Sequence, residues 1–306
     1  MSKDTKKNKP KLTPVKVIRR LVLIIASISF VCSLVYVINR FVIAPASNDA
    51  AISELRGNAC QTDSENNKGT KKREQNWDAL KKANKEIVGW LHIDDTPIDY
   101  PVLYRKSDNK DYQYYLDHNY KGEYSEYGSI FVDYRCKNGV ESKNTVLHGH
   151  NMNDGSMFHE LINYSDGFTP NLDYFKRHAV ISFNTKARDS KWKIFSVFKT
   201  SVDYTKDDFF NYMQAEFSSD DEFLSFVDEM RERSMFSVPV DVKEDDSIIT
   251  LSTCSYEFSD FRTVVAARRL RPGEDEDVSD AKINPSPLYP DIYYDTYGGK
   301  RPDKKE

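Results

Sequence analysis

The feature that most restricts how this chain can fold is an uncharged apolar segment at residues 21–38, which reads LVLIIASISFVCSLVYVI. A helix of this length spans about 27 Å, close to the roughly 30 Å hydrocarbon core of a bilayer. Further apolar residues flank the segment on both sides: Val17, Ile18, Phe41 and Val42. These lengths predict one transmembrane helix over residues 21–42.

Positive charge is concentrated in front of this helix. Residues 1–20 contain eight lysines and arginines against Asp4 alone, a formal charge of +7. Because basic residues stay on the cytoplasmic side of a membrane helix, residues 1–20 are predicted to be cytoplasmic and the rest of the chain extracellular. A cleaved signal peptide is the alternative, but its apolar core is usually only about 7–15 residues and is followed by a small-residue cleavage site. We therefore expect an uncleaved single-pass anchor, with the membrane as a partner.

The remaining composition excludes several classes of protein. The whole chain has 306 residues and a formal charge of −4, so the part after residue 20 is clearly acidic. An acidic protein is a poor partner for nucleic acid, because phosphate binding requires a basic surface. Four cysteines are too few for a disulfide scaffold, and free thiols are favoured over a bridge between Cys60 and Cys136.

Three regions are predicted after the anchor. Residues 43–75 are polar and read as a spacer or a partly helical stalk. Residues 76–271 hold most of the β-type and aromatic segments and are predicted to form the folded domain. Residues 272–306 hold five of the 12 prolines, nine acidic residues and five basic ones, and are predicted to be a tail outside the core. That tail is either a disordered end or a segment whose tyrosines dock on the domain and partly occlude a substrate cleft.

Eight short segments of the central region are typical of β-strands, since they are rich in Val, Ile, Phe, Tyr and Thr and end at turn residues. They are 89–93, 98–103, 128–133, 144–149, 178–185, 190–200, 246–253 and 262–270. Eight short strands with few helices predict a mainly β fold, a barrel or a sandwich.

Three helices are predicted among these strands. Ser219 and Glu222 have the spacing of a capping box, and apolar residues recur at helical spacing up to residue 233. Shorter helices are expected over residues 74–84 and from Ser156 to Ile162.

Cys254, Arg262 and His150 form the candidate catalytic set. Cys254 follows the strand segment IITLST, and Arg262 opens the next strand, so a hairpin would place them opposite each other. His150 ends another strand, in the segment NTVLHGHNM. A thiol nucleophile needs a neighbouring base to form the thiolate, and a fixed cation stabilises the oxyanion that develops on the attacked carbonyl.

The sequence around these residues resembles the sortase family, and within it the class B branch. The resemblance rests on TLSTC at 250–254, on Arg262 with the two valines after it, and on HGHNM followed by GSMF. Further similar stretches lie at 86–103, 114–135, 144–161 and 193–198. The resemblance covers roughly residues 76–270 and implies an eight-stranded sortase-type β-barrel with a few helices, in which the helix at 219–233 is the class B insertion.

The resemblance also implies a function. It makes Cys254 the nucleophile, His150 the general acid and base, and Arg262 the cation that holds the oxyanion or positions the substrate. Such an enzyme is a membrane-anchored cysteine transpeptidase. It cleaves a Thr-containing sorting signal of secreted proteins through a Cys thioester, transfers it to a cell-wall peptide amine, and needs no cofactor. The alternatives are a pilin-polymerising sortase with a Lys amine acceptor, a net hydrolase, and an anchored binding module without activity.

Two local features remain open at this stage. His148 stands where class B sortases usually have Tyr, and strand alternation points it the same way as His150. His148 is expected to be a packing or polar neighbour, with an assisting role as the alternative. Both histidines and Cys254 would make three zinc ligands, but no paired ligand spacing supports a metal site, and none is predicted. A basic cluster, expected to be solvated or to meet anionic wall or lipid groups, consists of Arg268, Arg269 and Arg271.

Overall fold

A computed structural model describes residues 13–62, 73–106 and 113–302. Parts of four predicted regions lie outside these residues: 1–12 of the basic segment, 63–72 of the spacer, 107–112 of the folded domain and 303–306 of the tail. The chain divides into two compact units, Met1–Ser53 and Glu54–Glu306.

The N-terminal unit is helical. Helix α1 covers Pro14–Ile38 and continues through a π-helical segment, Asn39–Ile43, into α2, Ala44–Ala59. Pro14 suits the start of α1, because its fixed φ matches the helix and its missing N–H would have no partner there. None of the α1 side chains is buried, and this is the one helix of the described residues that is long and apolar enough to cross a membrane.

The predicted spacer is partly helical. Helix α2 occupies its first half, and two short strands, Cys60–Thr62 and Arg73–Gln75, pair with each other farther along. The structure thus agrees with the helical alternative for the described part of this region.

Eight strands close into a barrel, which confirms the predicted fold. They are β1 (Ile87–His92), β2 (Asp99–Leu103), β3 (Ile130–Val132), β4 (Asn144–His148), β5 (Val180–Thr185), β6 (Lys191–Ser201), β7 (Ile248–Ser255) and β8 (Phe261–Arg269). Around the barrel their order is β6-β8-β7-β4-β3-β2-β1-β5.

The pairing of β7 with both of its neighbours positions the site. Strand β7 runs antiparallel to β8 and parallel to β4. Since parallel neighbours end at the same edge of a sheet, the carboxyl ends of β4 and β7 lie side by side. The start of β8 joins them there, because it follows β7 through a tight hairpin.

The short helices differ in detail from the predictions. Helix α3 covers Trp77–Ala83 and begins later than predicted, because the Asn76 side chain caps it by accepting a hydrogen bond from the Ala79 N–H. The helix predicted from Ser156 is a 3₁₀ helix, His159–Tyr164. Helix α4 covers Leu172–Arg177, and further 3₁₀ turns lie at Tyr114–Leu116 and Gly139–Glu141.

Helix α5, Asp220–Arg233, is the predicted helix of the class B insertion. Ser219 Oγ accepts a hydrogen bond from the Glu222 N–H, while the Glu222 carboxylate accepts from the N–H of Ser218 at 2.6 Å rather than from that of Ser219. Only half of the predicted capping box therefore forms. The apolar face of α5 packs on β6, β7 and β8 through Phe223, Phe226, Val227 and Met230.

The C-terminal region packs on the domain, so the prediction of a tail outside the core is wrong for the described residues. Five of its side chains are buried: Val278, Ala281, Leu288, Tyr289 and Pro290. Lys282–Ile283 pairs with Phe236–Ser237, and helix α6 covers Asp291–Tyr297. The few apolar residues, spread between prolines and acids, favoured an end outside the core, whereas the tyrosines indicated docking, and Tyr289 does dock on the domain.

The basic cluster is also not a solvated surface. The Arg268 side chain is fully buried, and its guanidinium donates to both carboxylate oxygens of Glu274. Arg271 pairs with Asp241 at 3.0 Å and with Asp246 at 2.5 Å. These arginines therefore join the start of the C-terminal region to the barrel, because a buried guanidinium requires a charged partner.

Candidate active site

Cys254 and Arg262 lie directly opposite each other on β7 and β8. The predicted hairpin is therefore present, but Cys254 is the penultimate residue of β7 rather than the start of the loop. Both side chains are half-buried. Residues opposite each other in a sheet share a face, so the thiol and the guanidinium project to the same side.

The end of β4 is bonded to the end of β7. Thr253 Oγ1 donates to the carbonyl of Gly149 at 2.8 Å, and the N–H of Gly149 donates to the carbonyl of Ser252 at 3.3 Å. Farther along the same segment, the Asn151 side chain donates to the carbonyl of Cys254 at 3.0 Å. His150 lies between these bonded residues, so the structure brings it to the same edge as Cys254.

Gly149 is required at this edge for packing. A Cβ on Gly149 would come within 2.4 Å of Ile130 Cδ1 and 2.8 Å of the Phe158 ring. Any side chain would therefore push the segment away from its neighbours. The small residue between the two histidines allows His150 to approach β7.

His150 is held by a hydrogen bond to the backbone. Its Nε2 lies 2.7 Å from the carbonyl oxygen of Leu116. A carbonyl only accepts, so Nε2 carries the proton in this bond, and the neutral ring keeps its lone pair on Nδ1. The ring thus has one nitrogen fixed and the other able to take a proton.

His148 pairs with a buried carboxylate that the sequence did not identify. Its Nε2 lies 2.8 Å from Oδ2 of Asp133, whose side chain is 6% exposed. Arg135 donates to both oxygens of the same carboxylate. Burial alone would raise the pKa of Asp133, but the bonds from His148 and Arg135 hold that pKa below its ordinary value. His148 is therefore the polar neighbour expected. The sequence feature that could have identified Asp133 is its position at the end of a predicted strand.

Tyr212 is a second residue that sequence reasoning missed. It is 1% exposed, and its hydroxyl lies 2.9 Å from Ser252 Oγ, two residues before Cys254 on the same face. Burial raises the pKa of Tyr212 to about 12, although the nearby charge of Arg262 opposes the shift. Tyr212 lies in an irregular segment, where hydrophobic periodicity carries no information.

The other thiol of the barrel is in a different environment. Cys136 is fully buried, and burial raises the pKa of its thiol to about 12. Among the described residues, no cysteine takes part in a disulfide bond. Within the described ranges, no three His, Cys, Asp or Glu side chains are arranged to hold a metal ion.

Comparison with known proteins identifies the family of the chain. The sequence model of the sortase domain matches residues 91–270. The chain belongs to the sortase family. Sortase B of Listeria monocytogenes is 42% identical over 178 residues, which cover 58% of this chain and 66% of that protein.

Solved structures of the sortase family have the same fold. Sortase B of Bacillus anthracis in complex with AAEK1 matches with a TM-score of 0.60 and 32% identity, covering 75% of this chain and 99% of that one. A sortase B complexed with triglycine matches with a TM-score of 0.54 and 34% identity, covering 65% and 86%. The chain is a sortase B-type cysteine transpeptidase.

Proposed function

We propose that Cys254, His150 and Arg262 are the catalytic residues of this transpeptidase, and that it sorts secreted proteins to the cell wall. The observation that carries the proposal is the pairing of Cys254 with Arg262 across the β7–β8 hairpin. The bonds that join Gly149 to Thr253 and Asn151 to Cys254 support the place of His150 in the same set.

The first half of the reaction forms a thioester. Nδ1 of His150 takes the proton of the Cys254 thiol, and the sulfur attacks the carbonyl carbon of a Thr in the sorting signal. Arg262 stabilises the charge that develops on the carbonyl oxygen. The C–N bond then breaks, and the leaving amine takes a proton from His150. The free Nδ1 of His150 suits this role, since Nε2 is engaged with the backbone.

The second half returns the enzyme to its starting state. An acceptor amine attacks the thioester carbonyl, His150 takes the proton of that amine, and the sulfur leaves and receives this proton from His150. The new amide replaces the thioester, so no outside energy source or cofactor is needed. We propose an amine of a cell-wall peptide as acceptor, and the complex of a related sortase B with triglycine supports a peptide amine.

The apolar N-terminal helix supports a location at the membrane. We propose a single-pass anchor with residues 1–20 in the cytoplasm and the catalytic domain outside. The division into basic segment (1–20), anchor (21–42), spacer (43–75), catalytic barrel (76–271) and C-terminal region (272–306) stays a prediction. In this arrangement the enzyme meets both exported proteins and wall precursors at one surface.

The decisive experiment detects the thioester by mass. The full-length chain in detergent is incubated with peptides that carry Asn-Pro-x-Thr-like or Ser-Pro-x-Thr-like signals, with and without amines such as triglycine or a lysine peptide. We expect an acyl-enzyme on Cys254 and a ligated product with triglycine. Preference for the lysine amine would indicate a pilin polymerase. Release of the cleaved peptide without transfer to an amine would indicate a hydrolase. If no thioester forms and Cys254→Ala binds the peptide as well as the parent, the chain is a binding module.

A further inference from the structure

A buried lysine lies directly behind the proposed catalytic pair. Lys199 belongs to β6, and its side chain is 1% exposed. Strand β6 pairs with β8, where Lys199 lies opposite Thr263, the residue that follows Arg262. Because side chains alternate between the two faces of a strand, Lys199 and Thr263 share the face that points away from the Arg262 guanidinium.

The Lys199 ammonium contacts three points of the β7–β8 hairpin. It donates to Ser255 Oγ at 3.0 Å and lies 3.4 Å from Thr263 Oγ1. It also forms an ion pair with the carboxylate of Glu257, which belongs to the loop between the two strands. Ser255 directly follows Cys254, so one ammonium ties both strands and their loop together beside the catalytic pair.

Glu257 is held as an anion by these contacts. Its carboxylate accepts a hydrogen bond from the Ser255 hydroxyl as well as from Lys199. Burial alone would raise the pKa of Glu257, but the two bonds hold that pKa below its ordinary value. Burial lowers the pKa of Lys199, and the charges of Glu257 and, more weakly, Asp166 offset only part of this effect. The negative charge of Glu257 therefore stabilises the buried ammonium.

Stability does not account for a buried ion pair at this place. Taking two charges out of water is costly, and the attraction between them does little more than offset that cost. Two apolar side chains of similar volume would fill the same space without it. The contacts of Lys199 with the catalytic hairpin are therefore the feature that distinguishes this pair from ordinary packing.

The two catalytic residues of the hairpin are held by different contacts. The carbonyl of Cys254 accepts a hydrogen bond from the Asn151 side chain at 3.0 Å, a contact that does not involve the lysine. Arg262 is the second residue of β8 and comes directly after the loop that contains Glu257. A displacement of about 1 Å at the guanidinium weakens its contact with an oxyanion, because catalytic groups tolerate little misplacement.

We propose that Lys199, paired with Glu257, positions Arg262 for transpeptidation. The inference rests on the proposed roles of Cys254 and Arg262, and it adds a group that touches neither the substrate nor the reacting atoms. The ammonium fixes the β7–β8 loop, and the loop fixes the guanidinium where the oxyanion develops. Loss of the ion pair slows the chemical step and leaves the affinity for the peptide unchanged.

The test measures the chemical step and the stability separately. The full-length chain in detergent receives a sorting-signal peptide, and single-turnover acylation gives the rate at saturating peptide and the half-saturating concentration. Lys199→Met combined with Glu257→Gln leaves no unpaired buried charge, so we expect this double variant to fold. It should acylate about tenfold more slowly at an unchanged half-saturating concentration. Lys199→Met alone should be slowed at least as much.

A second background shows whether the lysine acts through the arginine. In Arg262→Ala there is no guanidinium to position, so adding Lys199→Met and Glu257→Gln should slow acylation by less than about twofold further. A further tenfold slowing in this background would overturn the proposal, because the ion pair would then support the site in a general way.

The matched control is Lys193→Met, which removes another buried lysine from β6. Its Nζ lies 3.3 Å from Asp275, and six residues separate it from Lys199, about 20 Å along the strand. This variant should lower the melting temperature and leave acylation unchanged. Parent-like acylation in the folded double variant would overturn the positioning role and leave the catalytic proposal intact. Absence of any acyl-enzyme in the parent would instead overturn both.

Discussion

The imidazole of His148 and the carboxylate of Asp133 are joined by a 2.8 Å hydrogen bond at the carboxyl end of β4, two residues before His150. The pair lies on the strand that carries the proposed general acid and base. Because Asp133 also binds Arg135, one buried carboxylate ties together two neighbouring side chains. This cluster stiffens the strand end beside the site.

Asp133→Asn should destabilise the domain by about 1–3 kcal/mol at pH 7, because a buried amide cannot replace both charge-assisted bonds. The pKa of Asp133 is lowered in the folded state, so its contribution is present above the unfolded value near 3.8 and is lost as pH falls through the lower folded value. Urea unfolding of both proteins at pH 7 and pH 3 measures the difference. An equal loss of stability at both pH values would contradict the assignment.

Cys254 should be the thiol of the barrel that reacts with alkylating reagents. It is half-buried at the site, whereas burial raises the pKa of Cys136 to about 12 and keeps that thiol protonated. Mass spectrometry after brief iodoacetamide treatment at pH 7.5 should show modification of Cys254 and not of Cys136. Cys136→Ala is the control and should keep the labelling. Faster labelling of Cys136 in the folded protein would refute the prediction.

Arg262→Ala should slow acylation by about 10²–10³-fold, the usual cost of losing one oxyanion donor. Arg262→Lys should restore little of the acylation rate, because a lysine lacks the planar guanidinium and its paired N–H donors. Single-turnover acylation with a sorting-signal peptide measures the rate, and the melting temperature shows whether the fold is retained. Parent-like acylation in the alanine variant would remove Arg262 from the mechanism.

Glu274→Gln should destabilise the protein at neutral pH, because Arg268 is fully buried and loses the carboxylate that accepts two of its hydrogen bonds. The hydrogen bonds from Arg268 lower the pKa of Glu274 from 4.5 to about 2. The stabilisation is therefore complete above pH 4.5 and disappears as pH falls toward 2. Melting curves of parent and variant should converge over this range. A constant difference down to pH 2 would argue against the ion pair.

Removal of residues 272–306 should lower both stability and activity. The deletion removes the buried Leu288 and Tyr289, at a cost of at least about 3 kcal/mol, and it removes the aromatic contacts that hold Phe168 and Phe258, a residue of the β7–β8 loop. Truncation after Pro302 is the control and should have no effect. A rise in ligation rate would instead favour the occluding tail that the sequence also allowed.

The sequence predicted the elements of this fold better than the contacts between them. All eight strands and the opposition of Cys254 and Arg262 follow from local patterns, since β-type runs and turn residues are encoded locally. The docking of the C-terminal region and the burial of Arg268 do not follow from local patterns, because they depend on partners that only the folded chain brings together. The same reason hid Tyr212, which meets Ser252 across 40 residues.

The parallel pairing of β4 with β7 has a consequence for biosynthesis. The bond between Gly149 and Thr253 links residues 104 positions apart, so the neighbourhood of the thiol is assembled late, when the barrel closes. Until then the nascent chain carries Cys254 without its proposed proton acceptor, His150, although the local β7–β8 hairpin can already place Arg262 opposite it. The parallel pairing therefore keeps the Cys254 thiol apart from His150, and so unactivated, until the barrel has closed.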